Sequence, residues 1–117
     1  MIRNKTRKTI LCRKTELAES FWKKARGLMF RSELPKGSGM LFIFPKPGRP
    51  SFWTPFMRFP LDLVFLDSSK RVVDIREAIK PWRTCRPRAS ASYALELRAG
   101  TAREARTSIG DLLEFSF

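Results

Sequence analysis

Two dense apolar runs, MLFIF at residues 40–44 and LVFL at residues 63–66, dominate the hydrophobic pattern of the chain. Short runs rich in Phe, Ile, Val and Leu that close on turn residues read as strands buried on both faces. Between them Pro45, Pro47, Pro50, Pro55 and Pro60 remove ladder donors and bias the residues before them to extended geometry. The chain is therefore expected to leave the sheet and return through an aromatic segment centred on Trp53.

Ahead of these runs the period changes. Residues 9–12 read as a first strand, with Ile10 and Cys12 on one face and Leu11 on the other, after a basic end at 1–7 that is expected to fray. From Thr15 onward Leu17, Phe21, Ala25 and Leu28 recur at helical spacing, with Trp22 and Met29 beside them. They predict a substantial helix, capped by Thr15 or Ser20, whose apolar stripe joins the core.

After the second run, a turn at 67–70 and the alternating arm at 71–75 predict a hairpin over 62–77. Residues 76–92 read as a long polar loop stiffened by Pro81 and Pro87. A half-buried strand follows at 92–98 with Tyr93, Leu95 and Leu97 inward, then a short polar helix at 101–107 with Thr101 as its cap. Leu113, Phe115 and Phe117 form the inner face of a last strand. Six or so strands with one substantial helix predict a mainly β fold, a compact antiparallel β-sandwich or barrel-like single domain over 1–117. That length leaves no room for a second core.

Charge adds the next constraint. The chain carries 24 Lys plus Arg against 11 Asp plus Glu, a net +13 that favours anionic partners. Nucleic acid, an anionic membrane surface or an acidic protein would all fit, and an evenly spread excess would simply be a solvated surface. No His occurs, which excludes Ser–His and Cys–His catalysis and every His-ligated metal site. The Gly37–Ser38–Gly39 triplet lacks the following Lys-Ser/Thr of a phosphate loop. Asp62 with Asp67 or Asp111 could form a carboxylate pair, but nothing in the sequence sets their separation. With no complete catalytic constellation, a non-enzymatic role without cofactor or metal is the expectation. Cys12 and Cys85 have no metal-ligand spacing, and the basic N-terminus lacks an apolar segment behind it. Two free thiols in the reducing cytoplasm follow from that.

Two surfaces could bind. One is an aromatic and Arg-lined site of Phe52, Trp53, Arg26, Arg31, Arg58 and Asp62, in which aromatic faces supply apolar area and the charges orient a ligand. Asp62 interrupts an apolar run, so its carboxylate should be withdrawn from water and held by N–H groups or Arg. The alternative is a surface for RNA or single-stranded DNA on the 76–88 loop, with Trp82 as a stacking platform and Lys80, Arg83, Arg86 and Arg88 on phosphate. A third possibility is an adaptor that docks on an acidic protein.

Several ordered motifs together resemble a known family: ARGLMFR at 25–31, GMLFIF at 39–44, Phe52–Trp53, PLD at 60–62 with Phe65 and Asp67, LEL at 95–97 with Ala99–Gly100, and Gly110–Asp111. They are similar to domain of unknown function 192 over about residues 8 to 115. The resemblance implies a compact β-sandwich or barrel-like domain and supplies no reaction. Relatives commonly continue the Trp with Met-Lys-Asn before Pro-Leu-Asp, whereas residues 54–59 here are TPFMRF. Any polar chemistry of that Lys-Asn pair is missing, which favours binding over catalysis.

Overall fold

The computed structural model describes residues 1–18, 34–53, 59–80 and 83–117, with the backbone alone at Ala18 and Trp53. Its main element is a five-stranded sheet in the order β3 (Lys14–Ala18), β4 (Ser38–Gly48), β9 (Ala91–Arg98), β6 (Leu61–Leu66), β7 (Val72–Ile79). A three-stranded sheet has the order β10 (Leu113–Phe115), β1 (Ile2–Asn4), β2 (Thr9–Cys12), and β5 (Phe52–Trp53) pairs with β8 (Thr84–Cys85). One short helix, α1 (Thr101–Glu104), completes the described elements. The protein is mainly β, and its sheets are not closed into a barrel.

The register shows how the two apolar runs make two cores. Antiparallel partners share a face, so Leu41, Leu95 and Val64 form one row, and Phe42, Ala94 and Phe65 form the next on the opposite face. The first face packs against Ile2, Leu11, Cys12 and Leu113 of the three-stranded sheet and Ala102 of α1. This is a sandwich. The second face is covered by Phe52 and Cys85 of β5 and β8, with Leu34 and Phe59. The Phe52 ring meets those of Phe42 and Phe65 edge-on, each at 5.6 Å between centroids.

Residues 63–66 are buried on both faces as the pattern requires, within a strand in which every residue is buried. The hairpin to β7 is closed by Asp67, whose Oδ1 accepts the N–H groups of Ser69 and Arg71. The prolines leave their mark on β4: its pairing with β9 runs without a break from Gly39 to Ile43, then resumes only at Gly48 opposite Ala91. Pro45 and Pro47 fall in the gap, where no ladder donor is needed.

Other expectations need correction. The start of the expected helix lies in β3, because Lys14–Ala18 pairs in parallel with residues 38–42; the remainder of that helical stripe lies outside the described residues. The N-terminal end is not frayed. Ile2–Asn4 is the middle strand of the small sheet, and Ile2 is fully buried. In β2 Leu11 and Cys12 are both buried while Ile10 is exposed, because the register shifts where Cys12 meets Ile2. The 76–92 loop is shorter than expected, since β7 runs to Ile79 and β8 and β9 occupy 84–85 and 91–98. β9 is buried on both faces rather than half-buried because it is the central strand. The helix spans four residues, and its N-cap is Gly100 at φ 94° rather than Thr101. Phe117 is exposed, beyond the last strand.

Candidate functional site

The register separates two residues that the sequence grouped. Asp62 lies opposite Leu97, on the face of the sandwich core, whereas Phe52 packs on Phe65 across the sheet. Asp62 is fully buried, and its carboxylate is occupied by backbone. Oδ1 accepts Ala78 N–H at 2.8 Å, and Oδ2 accepts the N–H groups of Gly100 and Ala102, each at 3.0 Å. It thus holds the positive-φ irregularity of β7 at Ala78 (φ 50°), where the register with β6 shifts, and caps α1. A side chain so employed is withdrawn from water, as its place in an apolar run required, and it faces away from the aromatic surface. Arg26, Arg31, Arg58 and Trp82, and the Trp53 side chain, lie outside the described residues.

Two further carboxylates singled out in the sequence are also spent on backbone or local partners. Asp67 holds its turn. Asp111 accepts Asn4 Nδ2 at 2.9 Å, Ser108 N–H at 2.9 Å and Arg7 Nε at 3.2 Å. Burial alone would raise the Asp111 carboxyl, but those hydrogen bonds and the Arg7 charge outweigh it and hold it below its ordinary value. Among the described residues no cluster of three or more Cys, Asp or Glu could hold a metal.

What the fold does assemble is an arginine groove. Arg83 just before β8, and Arg86 and Arg88 on the β8–β9 connection, all exposed, are joined by Arg49 just after β4 and half-buried Arg76 from β7. The groove has a volume of about 560 Å³ and is also lined by Ile75, Glu77, Ile79, Thr84 and Cys85. Because β5 pairs with β8, Phe52 opposite Cys85 and Trp53 opposite Thr84, the aromatic strand and the arginine segment are neighbours. Of the two candidates read in the sequence, only the Phe52–Trp53 strand of one and the Arg83–Arg88 segment of the other are brought together by this ladder.

The arginines are tied down at one end. Arg49 Nε donates to the Pro87 carbonyl at 2.8 Å, Arg86 Nε to the Arg49 carbonyl at 2.7 Å, and Arg76 Nη2 to the Arg86 carbonyl at 3.1 Å. Beneath them sits Asp74, fully buried, with Oδ1 accepting Ile75 N–H and Oδ2 accepting Arg88 N–H, both at 2.9 Å. Its carboxylate also lies 3.4 Å from Arg76 Nε and 3.8 Å from Arg88 Nη1. A guanidinium has five N–H donors, so one tether each leaves several for a ligand while lowering the entropy lost on binding. Five guanidiniums face two carboxylates here, Asp74 and Glu77, and Glu77 is paired outward with Arg103 at 3.1 Å.

The thiols do not meet. Cys12 belongs to the sandwich core and Cys85 to the opposite cluster, and burial pushes both thiols up. Arg76 and Arg88 partly oppose that rise at Cys85. No helix among the described residues is long and apolar enough to cross a membrane.

The family model of DUF192, described as uncharacterized, matches residues 2–115. The chain belongs to this family. A UPF0127 protein of Thermococcus sibiricus is 33% identical over 117 residues, covering 98% of this chain and 74% of the relative. Two solved structures are similar to the chain. A protein of unknown function from Novosphingobium aromaticivorans is 31% identical with a TM-score of 0.79, covering 86% of this chain and 74% of that one. One from Sinorhizobium meliloti, provisionally described as a transcription regulator, is 33% identical with a TM-score of 0.79, covering 86% and 79%. None of these relatives carries an established reaction, and the function of this DUF192 chain is likewise not established.

Asp74, Arg49 and Arg76 were missed in the sequence. Asp74 and Arg76 sit at alternate positions of a strand that looked like an ordinary amphipathic arm. Arg49 follows a proline-broken stretch, with no local signal of what it faces.

Proposed function

We propose that the protein is a small non-enzymatic binding module that holds an anionic ligand in the arginine groove beside the Phe52–Trp53 strand. The observation that carries this reading is the convergence of five arginines from three separate segments on one groove, four of them held by backbone carbonyls or Asp74. Guanidiniums fixed in this way suit phosphate or carboxylate oxygens, which they can meet with charge-assisted bonds. Phe52 is a wall of the core rather than a ligand face, being only 3% exposed. Asp62 acts as scaffold in this reading, and the ligand is met by Arg83, Arg86 and Arg88 with Arg49 and Arg76.

The +13 charge is not gathered on this surface alone, since Arg3, Lys5 and Lys8 line a separate hollow on the β1–β2 hairpin. Long-range attraction therefore comes from the whole molecule, and retention from the groove. The provisional description of one relative as a transcription regulator is compatible with an anionic partner of the nucleic-acid kind. The same reading places the module in the reducing cytoplasm, where buried thiols such as Cys12 and Cys85 stay unpaired.

Calorimetric titration with inorganic pyrophosphate at low salt tests it. Wild type should bind, and the double variant Arg86→Ala, Arg88→Ala should bind at least tenfold more weakly, a loss of about 1.4 kcal/mol or more. Equal affinity in the two proteins would reject the groove as the site.

A further inference from the structure

The outer face of the small sheet carries a basic surface that the arginine groove does not use. Residues 1–14 contain Arg3, Lys5, Arg7, Lys8, Arg13 and Lys14 and no acid. The register sets their arrangement: Glu114, Arg3 and Ile10 form a row across β10, β1 and β2, turned away from the core that takes Ile2, Leu11 and Leu113. This row lines a hollow of about 500 Å³, to which Lys5 and Lys8 of the hairpin turn also belong. Three cations there face one acid, Glu114.

Those cations are available. No ion pair among the described residues engages the ammonium of Lys5 or Lys8, and Arg3 donates through Nε to Met1 Sδ at 3.4 Å. Arg7 is different, being turned to Asp111 at 3.2 Å. Lys8 keeps its charge at a left-handed position (φ 59°), which glycine or asparagine would hold at lower cost.

Two further features say what shape of anion fits. Among the described strands β2 is the last of its sheet, so an extended chain can lie along it and continue the ladder. Ile10, 37% exposed, sets an apolar contact among the cations. Lysines on long flexible stems adapt to carboxylates spread along a chain, whereas the tethered guanidiniums of the groove suit a compact oxyanion. Alternate side chains of a strand share a face, so the matching segment has acids at alternate positions on either side of an apolar residue.

We propose that this face docks an extended acidic segment of a partner protein, which lies along β2 with its carboxylates on Arg3, Lys5 and Lys8 and an apolar side chain on Ile10. The surface is separate from the arginine groove, and neither reading depends on the other.

Titration of the full chain at low salt, followed by the fluorescence anisotropy of labelled peptides, tests it. The probes are acetyl-Glu-Thr-Glu-Thr-Val-Thr-Glu-amide, its analogue with Gln for every Glu, and its analogue with Ser for Val. Wild type should bind the first at least tenfold more tightly than the Gln analogue, with affinity falling as salt is added. The double variant Lys5→Gln, Lys8→Gln should lose about fivefold or more for the first peptide while binding pyrophosphate as wild type does. Ile10→Ser should weaken the first peptide about threefold or more and leave the Ser analogue unaffected, a distinction that a charge-only surface would not make. Equal affinity for the Glu and Gln peptides, or peptide binding that survives both variants, would overturn the inference. Loss of peptide binding in Arg86→Ala, Arg88→Ala alone would also overturn it, by placing the segment in the groove. Binding to phosphatidylserine vesicles that is sensitive to the Lys5, Lys8 variant, with no binding of any peptide, would give the face to a membrane and equally reject the proposal.

Discussion

Replacing Glu96 by Gln should convert a pH-dependent stability into a flat one, whatever the ligand. In the folded chain burial pushes the Glu96 carboxyl from 4.5 to about 8, whereas in the unfolded chain it ionises near its ordinary value. The unfolded state therefore gives up its proton first. Stability is whole below about pH 4.5, falls by about 1.4 kcal/mol per unit as pH rises, and levels off above about 8. The full loss is on the order of 5 kcal/mol, comparable with the whole stability of a small domain. The window is unusually clean, because the chain contains no His and both thiols are pushed up by burial. Urea unfolding of wild type and Glu96→Gln at several pH values between 5 and 8 measures the effect. The variant should gain on wild type by about 1.4 kcal/mol per unit and lie within about 1 kcal/mol of it at the acid end. Parallel curves across that window would mean that Glu96 ionises normally, and the reasoning from its burial would be wrong.

Two further substitutions probe the scaffold. Asp62→Ala strands three backbone donors at the Ala78 irregularity of β7 and the start of α1, and should cost more than about 3 kcal/mol in urea unfolding, with pyrophosphate affinity unchanged in the protein that remains folded. Gly39→Ala places a Cβ 3.0 Å from both Cys12 Sγ and Leu97 Cδ2, so the thermal midpoint should fall by the equivalent of about 1–3 kcal/mol; an unchanged midpoint would show that the interface between the sheets is looser than described.

Much of the sheet was legible because burial on both faces leaves an apolar run. Residues 63–66 and the turn at Asp67 could be read directly. β3 could not, since Leu17 and the residues after it share a helical spacing, and only pairing with β4 makes Lys14–Ala18 extended. The separation of Asp62 from Phe52 follows from strand parity: residue 62 faces away from Phe65, the ring on which Phe52 packs. Parity was available in the sequence, but the face taken by Phe52 was not. The groove was half legible for a similar reason. Arg83, Arg86 and Arg88 lie close in sequence, whereas Arg49 and Arg76 reach them only through the folded chain. Glu96 alternates with Leu95 and Leu97 and so would face solvent on an edge strand; the central position of β9 buries it instead.

The most direct test of the account is nitrogen-detected NMR of the arginine side chains during a pyrophosphate titration at low salt. The arginine groove predicts saturable shifts at Arg49, Arg76, Arg83, Arg86 and Arg88, with Arg3 and Arg7 on the small sheet left nearly unmoved. Equal, non-saturating shifts at all arginines, or saturable shifts confined to Arg3 and Arg7, would contradict it.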